Sequence, residues 1–153
     1  MTREEYISRY SQHVINAVKH SPLFASVMMA QAILESSDAQ GAAGNSTLAR
    51  QGKNHFGLKA DASWKGEKIN LNTHEVIDGI TTEVTADFRM YTDDGASFKD
   101  RIKFLMNNKR YRRSKVFTAS SPAEQAKALQ LADYATDPDY AEKLIHLMTK
   151  HNL

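Results

Sequence analysis

The middle of the chain constrains the fold most, because the spacing of the apolar residues changes there. Between Asn54 and Tyr91 there is no clean helical repeat. Ile77 and Ile80 flank an Asp-Gly pair, which suits the positive φ angles of a type I′ hairpin turn. After the turn, apolar and polar residues alternate as in a half-buried strand, with Val84, Ala86, Phe88 and Met90 against Thr85, Asp87, Arg89 and Tyr91. The sequence therefore predicts a β-hairpin or small sheet in the middle of the chain.

Helical signals lie on both sides of this segment. Thr2 and Glu5 have the spacing of a capping box, and Ser-Pro or Asp-Pro pairs mark further helix starts. The predicted helices run from Thr2 to about Lys19, from Pro22 to about Ser36, from a cap at Ser97 to about Asn107, from Ser121-Pro122 onward, and from Asp137-Pro138 toward the end. A helical body with a small β insert predicts an α+β fold.

Size and composition indicate one folded unit. A length of 153 residues allows one good hydrophobic core, and we find no repeat or low-complexity linker, so we expect a single domain over residues 1–153. The net charge of +2 is too weak to indicate a nucleic-acid partner. No apolar run approaches the ~20 residues that span a membrane, so we expect no membrane insertion.

Several kinds of site are excluded or unsupported. The chain has no cysteine, which rules out disulfides, thiolate metal sites and a cysteine nucleophile. The six histidines show no ligand spacing with a nearby acid, so we expect no metal and no cofactor. Nucleophile-elbow, P-loop and dinucleotide motifs are also absent. The charged segment Met1–Tyr6 lacks the apolar stretch of a signal peptide.

Glu35 is the first candidate for chemistry. It follows Leu34 near the C-terminal end of an apolar helix, and Gln31 and Met28 share its face at spacings of four and seven. Partial burial there would raise the pKa of its carboxyl group toward the range that a general acid needs, and the negative end of the helix would act in the same direction. The position also fits a solvated glutamate at a helix end, and spacing alone favours that interpretation.

The β region contains several acidic residues that are candidates for a second catalytic group. Hydrolysis of a glycosidic bond commonly needs another carboxylate, or an acetamido group of the substrate, to meet the charge of an oxocarbenium-like transition state. Glu75 precedes the hairpin turn on a strand that could face a cleft. The other candidates are Asp78, Glu83 and Asp87. All four also fit exposed strand and turn positions, so spacing leaves the choice open.

An ordered set of short motifs adds a second line of evidence. The first three are Met-Ala-Gln-Ala-Ile-Leu-Glu-Ser at 29–36, Ser-Thr-Leu-Ala at 46–49 and Asn-His-Phe-Gly-Leu-Lys-Ala at 54–60. The later ones are Thr-His-Glu at 73–75, Phe-Arg-Met-Tyr at 88–91, Ser97 with Asp100, Asn-Lys-Arg-Tyr at 108–111, Tyr-Ala-Thr-Asp-Pro at 134–138 and Tyr-Ala at 140–141. From about Ala30 onward, their order and spacing resemble the glucosaminidases of glycoside hydrolase family 73, which include flagellar and autolysin-type cell-wall hydrolases.

The resemblance implies a lysozyme-like fold, in which a helical lobe and a small β-hairpin lobe enclose a cleft. It implies that Glu35 is the catalytic acid and that Glu75 is the second acidic residue, which acts as base or stabiliser. It further implies that Tyr134 is a cleft tyrosine that holds the substrate or positions its acetamido group. The sugar contacts that it implies are Asn54, Phe56, Gly57, Tyr91 and Tyr111.

The chain departs from the family pattern directly after Glu35. The family has Glu-Ser-Gly-Trp-Gly here, whereas residues 35–41 have Glu-Ser-Ser-Asp-Ala-Gln-Gly. The loop to Ser46 is longer and lacks the tryptophan, so we expect the neighbouring subsite to differ in shape. Asp38 is an additional carboxylate. If it lies close to Glu35, it would raise the pKa of Glu35 further, and it is a candidate minor participant.

Other features have more than one interpretation. The basic segment 109–115 fits a solvated helix end or a contact with an anionic cell-wall polymer, and we favour both over nucleic-acid binding. Trp64 is either a sugar platform or a packing residue. His55 and His74 flank the motifs, where they either contact a sugar or have surface and structural roles.

Taken together, these observations predict an endo-β-N-acetylglucosaminidase that cleaves the glycan strand of peptidoglycan. The alternatives are a muramidase or lytic transglycosylase on the same fold, or a non-catalytic cell-wall binding module. Glu35 would protonate the leaving oxygen of a β-1,4 bond. We expect a monomer that acts in the cell wall or periplasm. It would be exported by another route or belong to a longer protein.

Overall fold

The computed structural model describes residues 1–153, and its elements follow the predicted order of helices, hairpin and helices. The helices are α1 (Arg3–Val18), α2 (Ala25–Ser36), α3 (Thr47–Gly52), α4 (Asp94–Asn107), α5 (Lys109–Arg113), α6 (Pro122–Leu131) and α7 (Tyr140–Lys150), with a short 3-10 helix at Val116–Thr118. The strands β1 (Lys68–Ile77) and β2 (Ile80–Arg89) form one antiparallel sheet. The predicted α+β class is confirmed. None of the helices combines the length and apolar character needed to cross a membrane.

Two helix starts have the predicted capping contacts. At α1 the Thr2 hydroxyl accepts the Glu5 N–H at 3.1 Å, and the Glu5 carboxylate accepts the Thr2 N–H at 2.8 Å. At α6 the Ser121 hydroxyl accepts the Glu124 N–H at 3.2 Å, with Pro122 in the first turn. These side chains satisfy backbone donors that a helix leaves unpaired at its start, which is why the helices begin there.

Two helices begin later than predicted, because side chains before them accept hydrogen bonds from the backbone and stabilise short turns. The starts are Ala25 instead of Pro22 for α2, and Tyr140 instead of Asp137-Pro138 for α7. Before α2, the Ser21 hydroxyl accepts the Leu23 N–H at 3.3 Å. Before α7, the Asp137 carboxylate accepts the Asp139 N–H at 2.8 Å. Serine and aspartate side chains commonly stabilise such turns in competition with a helix.

Helix α4 begins earlier than predicted. The Asp93 carboxylate accepts the Ala96 N–H at 2.8 Å, so Asp93 is the cap and not Ser97. Ser97 lies inside the helix, where its hydroxyl accepts the His55 N–H at 3.0 Å. This contact joins α4 to the loop that follows α3, a tertiary role that the local sequence does not indicate.

Helix α2 is the centre of the helical lobe. Every residue from Val27 to Ile33 is buried, and α1, α6 and α7 pack around the helix. The apolar helix predicted before Glu35 is thus covered on all sides, an arrangement that is stable only inside a core. The C-terminal end of α2 reaches the cleft between the lobes and carries Glu35 there.

The hairpin has the predicted turn. Ile77 pairs with Ile80, so that Asp78 and Gly79 alone form the turn. Both turn residues have positive φ angles, 50° and 78°, as a type I′ turn requires.

Along β2, Val84 is half-buried between two exposed neighbours. The predicted alternation therefore holds around Val84 and defines an inner and an outer face of the hairpin. It was wrong at the end of the strand, where Phe88 and Arg89 are both buried because Arg89 pairs with Asp100.

An ion pair fixes the base of the hairpin to the helical lobe. Arg89 Nη1 lies 2.8 Å from Asp100 Oδ2, and the Arg89 side chain is only 7% exposed. The Tyr91 hydroxyl donates to the same carboxylate at 2.6 Å, and Arg89 Nε donates to the Lys59 carbonyl at 2.9 Å. The Arg89 guanidinium also lies over the Trp64 ring, 5.1 Å from its centroid. Trp64 therefore packs against the base of the hairpin, which is one of the two roles considered for it.

The tip of the hairpin contacts the helical lobe as well. The Val76 N–H donates to the Thr136 hydroxyl at 3.0 Å, and Thr136 lies in the segment between α6 and α7. Because base and tip are both attached, the hairpin forms one wall of the cleft and is not a free arm.

Replacement of Asp100 by alanine should lower the free energy of unfolding by about 3 kcal/mol. It removes the nearer and more buried carboxylate of Arg89 and leaves only the exposed Asp61 carboxylate, 3.5 Å from Arg89 Nη2. Chemical unfolding followed by circular dichroism measures this loss. The matched control is Asp87→Ala, which removes an exposed carboxylate 3.7 Å from Lys68 Nζ, and which should lower stability by less than about 1 kcal/mol. Equal losses in the two variants would contradict the anchoring role of Asp100.

Candidate active site

A cleft of about 900 Å³ between the two lobes gathers most of the predicted site residues. Five of the eight line it, namely Glu35, Phe56, Gly57, Glu75 and Tyr134. The helical lobe contributes one wall, and the inner face of β1 contributes the other. The cleft therefore brings together side chains that are distant in the sequence.

Glu35 lies at the C-terminal end of α2, where its half-buried side chain lines the cleft. Desolvation raises the pKa of its carboxyl group from an ordinary 4.5 to about 7. Hydrogen bonding from the Tyr140 hydroxyl opposes this rise, and the negative charge of Asp137 adds to it. A carboxyl group with this pKa keeps its proton near neutral pH and is able to donate it.

The loop after α3 brings its backbone against Glu35. Gly57 has a φ angle of 67°, which favours glycine, and a Cβ atom placed there would lie 3.7 Å from Glu35 Oε2. Phe56 is almost fully buried at the cleft floor, next to this glycine. The loop thus packs closely on the candidate acid and shields one side of it.

Tyr134 lines the cleft near Glu35, and its hydroxyl group has no hydrogen-bond partner in the protein. Its ring stacks on Tyr140 with 5.8 Å between centroids and meets Phe104 edge-on at 6.3 Å. Burial raises the pKa of Tyr134, and the Glu35 charge raises it further, so the phenol stays protonated. An unpaired buried hydroxyl is unusual in a folded protein, and here it leaves a donor next to the candidate acid.

Glu75 lies on the inner face of β1 and is held by Lys59. Lys59 Nζ donates to Glu75 Oε1, and the Glu75 side chain is about a quarter exposed. The two acidic residues of the cleft therefore have different surroundings. Glu35 is desolvated at the end of a core helix, whereas the Glu75 carboxylate is balanced by a positive charge.

Three of the predicted sugar contacts lie behind the walls of the cleft. Asn54 is buried, and its Nδ2 donates to the Leu58 carbonyl and to a β2 carbonyl, both at 3.0 Å. Tyr111 is fully buried, and the Tyr91 hydroxyl donates to Asp100. None of the three lines the cleft, because each side chain is used to hold the walls together. A contact of these three residues with sugar stays a prediction.

Asp38 organises the loop after α2. Its carboxylate accepts the Ala42 N–H at 2.9 Å and also a hydrogen bond from the Asn45 side chain. These contacts, that of Asn45 first, lower the pKa of Asp38. The carboxylate that raises the pKa of Glu35 is Asp137. Asp38 therefore stabilises the loop after α2 by hydrogen bonds.

The two histidines next to the motifs have different surroundings. His74 lines the cleft. His55 is buried, with Nδ1 at 2.6 Å from the Tyr6 hydroxyl and Nε2 at 2.7 Å from Asp94 Oδ1. These contacts join α1 to α4 through His55. His55 therefore has a structural role, one of the two interpretations considered for it.

No role was predicted from the sequence for two buried residues close to the cleft. Tyr140 was quoted only within the Tyr-Ala motif at 140–141, and Arg101, whose Cζ lies 5.6 Å from the Phe56 ring centre, was not singled out. Arg101 is fully buried and donates to Gln31 Oε1. Arginine is expected at the surface, so no local pattern reveals its burial.

Comparison with known proteins assigns the chain to a family. The family description "Glucosaminidase: Mannosyl-glycoprotein endo-beta-N-acetylglucosaminidase" matches residues 11–153. The chain belongs to the glucosaminidase family. The predicted resemblance is therefore confirmed, and the glucosaminidase family is one of glycoside hydrolases.

Relatives of this glucosaminidase chain cover it almost completely. Peptidoglycan hydrolase FlgJ of Salmonella typhimurium is 36% identical over 148 residues, which are 95% of this chain and 45% of FlgJ. Exo-glucosaminidase LytG of Bacillus subtilis is 33% identical over 154 residues, 99% of this chain and 52% of LytG. The catalytic domain of the autolysin Auto from Listeria monocytogenes has a TM-score of 0.78 and 30% identity, over 98% of this chain and 84% of that domain. The glucosaminidase chain spans about half the length of the curated relatives it matches.

The raised pKa of Glu35 predicts a pH-dependent effect on the stability of the glucosaminidase. Because its pKa is about 7 in the folded chain and 4.5 ordinarily, stability is lost as the pH rises from 4.5 to 7. Glu35→Gln should therefore raise the free energy of unfolding at pH 8 by about 2–3 kcal/mol, with no gain below pH 4.5. Chemical unfolding at both pH values measures this, with the exposed Glu83→Gln as control. A gain of the same size at both pH values would contradict the desolvation of Glu35.

Proposed function

We propose that this domain is an endo-β-N-acetylglucosaminidase that hydrolyses the β-1,4 bond after N-acetylglucosamine in the glycan strand of peptidoglycan. The observation that carries the proposal is the position of Glu35, whose carboxyl group lies at the end of a core helix on the wall of a cleft between two lobes. The family description supports endo action, and the name of FlgJ supports peptidoglycan as the substrate. Exo action, named for LytG, is the alternative.

In the proposed mechanism Glu35 starts the reaction as a general acid. It donates its proton to the glycosidic oxygen while the bond from that oxygen to C1 breaks, and the bonding electrons leave with the oxygen. The sugar on the other side then carries positive charge at C1. Desolvation favours this step, because it keeps the proton on Glu35 near neutral pH until a substrate accepts it.

The charge on the sugar is met by Glu75 or by the acetamido oxygen of the substrate. Glu75 faces the cleft from β1, where Lys59 holds its carboxylate. Tyr134, which lines the cleft near Glu35, is the residue that we propose helps to position the acetamido group. Water then adds to C1, a proton from that water restores the acid form of Glu35, and N-acetylglucosamine is left at the new reducing end.

A cationic surface beside the cleft suits an acidic polymer. Its five exposed basic residues are Lys109, Arg110, Arg112, Arg113 and Lys115. None of them pairs with a carboxylate of the protein, and Arg110 also lines the cleft. The peptide stems of peptidoglycan carry carboxylates, so we propose that this surface contacts them.

The substrate implies the place of action. We propose that the domain acts outside the cytoplasm, in the cell wall or periplasm, where peptidoglycan lies. Because one chain supplies both walls of the cleft, we propose that the domain is active as a monomer.

Digestion of purified peptidoglycan by the wild type and by Glu35→Gln tests the proposed reaction. The products are reduced with borohydride and identified by mass spectrometry. N-acetylglucosaminitol ends are expected from the wild type only, because the glutamine cannot donate a proton to the leaving oxygen.

Other results would change the proposal in defined ways. Muraminitol ends would indicate a muramidase, and anhydro ends would indicate a lytic transglycosylase. Equal activity in both proteins would show that Glu35 is not the acid. Binding to the wall without cleavage by either protein would indicate a non-catalytic binding module.

The role of Glu75 is tested by its glutamine variant. If the Glu75 carboxylate meets the charge that develops at C1, Glu75→Gln should lower kcat by at least about 100-fold with little change in KM. Steady-state kinetics on soluble glycan strands measures this, and Glu83→Gln, exposed on the neighbouring strand, is the control. A loss below about threefold would leave the acetamido group as the stabiliser of that charge.

A further inference from the structure

One arginine of the cationic surface lies inside the cleft. Arg110 on α5 lines the cleft together with Glu35 and Tyr134, whereas the other four basic residues of that surface lie outside it. The only lysine that lines the cleft is Lys59, which is paired with the Glu75 carboxylate. Arg110 takes part in no ion pair, so no carboxylate of the protein balances its charge.

Tyr111 holds the Arg110 guanidinium in place. Arg110 Cζ lies 4.9 Å from the centre of the Tyr111 ring, and Arg110 Nη2 donates to the Tyr111 hydroxyl at 2.8 Å. Tyr111 is fully buried, and its ring centre lies 6.1 Å from that of Tyr134 on the cleft wall. A long side chain normally loses rotamer freedom when it binds a ligand. Because Arg110 is already held, it binds one at a smaller entropic cost.

The guanidinium keeps most of its donors for a ligand. Nη2 uses one N–H on Tyr111, and neither Nε nor Nη1 of Arg110 donates to a group of the protein. Asp133 also lines the cleft, but its carboxylate forms no ion pair with Arg110. A planar guanidinium presents its N–H groups at the spacing of the two oxygens of a carboxylate. The unused donors of Arg110 therefore suit a carboxylate of the ligand.

The glycan strand of peptidoglycan offers such a carboxylate on one of its two sugars. N-acetylglucosamine and N-acetylmuramic acid alternate along the strand, and only the muramic acid has a lactyl group on its O3 atom. That group ends in a carboxylate, or in a peptide stem that carries carboxylates. A polymer of N-acetylglucosamine alone has no carboxylate at any position, so charge distinguishes the two kinds of glycan.

We propose that Arg110 is a specificity-determining residue, which binds a carboxylate carried by the lactyl group of a muramic acid residue, either its own or that of the attached stem. The inference rests on the proposed function, because it concerns the substrate of the same cleft. The cationic surface as a whole attracts any anionic polymer. Arg110 instead binds one carboxylate at a fixed position relative to Glu35, so the domain distinguishes muramic acid from N-acetylglucosamine inside the cleft.

Steady-state kinetics on three soluble strands test the inference. One strand is free of peptide and has free lactyl carboxylates, another is the same strand after its carboxylates are converted to methylamides, and the last still carries its peptide stems. Arg110→Gln should lower kcat/KM about tenfold on a strand whose carboxylate it binds, mainly by raising KM, because the lost charge-assisted contact is already made in the bound substrate. On the methylamide strand the variant and the wild type should be equal.

The matched control is Arg9→Gln. Arg9 is exposed on α1 and lies over the ring of the next residue, Tyr10, with Cζ at 5.6 Å from the ring centre, but it does not line the cleft. This variant should match the wild type on all three strands.

The strands also identify the carboxylate. A loss confined to the peptide-free strand assigns the lactyl carboxylate, and a loss confined to the stem-bearing strand assigns a stem carboxylate. A loss of the same size on the methylamide strand, an equal loss in Arg9→Gln, or no loss on any strand would overturn the inference.

Binding measurements separate this inference from the proposed reaction. Isothermal titration calorimetry of Glu35→Gln and of the double variant E35Q/R110Q with the same three strands needs no cleavage. If the wild type cleaves no strand but the double variant binds a carboxylate-bearing strand with a Kd about tenfold higher, and the methylamide strand with an unchanged Kd, the role of Arg110 is supported and the proposed reaction is rejected. Equal cleavage of all three strands by the wild type and Arg110→Gln would reject the role of Arg110 while the proposed reaction stands.

Discussion

The burial of α2 is the constraint on which the rest of the structure depends. Its residues from Val27 to Ile33 are all covered, which requires α1, α6 and α7 to surround it. The last turn of the same helix leaves this core at the wall of the cleft and places Glu35 there. The pKa of about 7 follows from that position, because the carboxyl group has lost part of its hydration. The acid character of Glu35 is thus a result of packing between distant segments.

The second lobe depends on a different kind of interaction. A two-stranded hairpin has too little core to hold a fixed position alone. Here the buried pair of Arg89 and Asp100 attaches its base, and the contact between Val76 and Thr136 attaches its tip. These attachments set the inner face of β1 opposite the helical lobe, so that Glu75 lines the same cleft as Glu35.

The features that could be predicted from the sequence have local signals. The turn at Asp78-Gly79 and the capping box at Thr2 depend on neighbouring residues, and both were predicted correctly. Glu35 was singled out by an ordered set of motifs, since helical spacing alone favoured a solvated side chain. The remaining features depend on contacts between distant segments. Neither the burial of Arg101 nor the supporting role of Tyr111 has a local pattern, because each is decided by which helix packs beside it.

Packing makes Glu35 an acid that keeps its proton near neutral pH. The pH dependence of kcat/KM on soluble glycan strands tests it most directly, because this quantity reports the ionisation of the free enzyme. Activity is expected to fall as the pH rises through about 7, where Glu35 loses its proton. A fall centred near 4.5, the ordinary value for a glutamate, would contradict it.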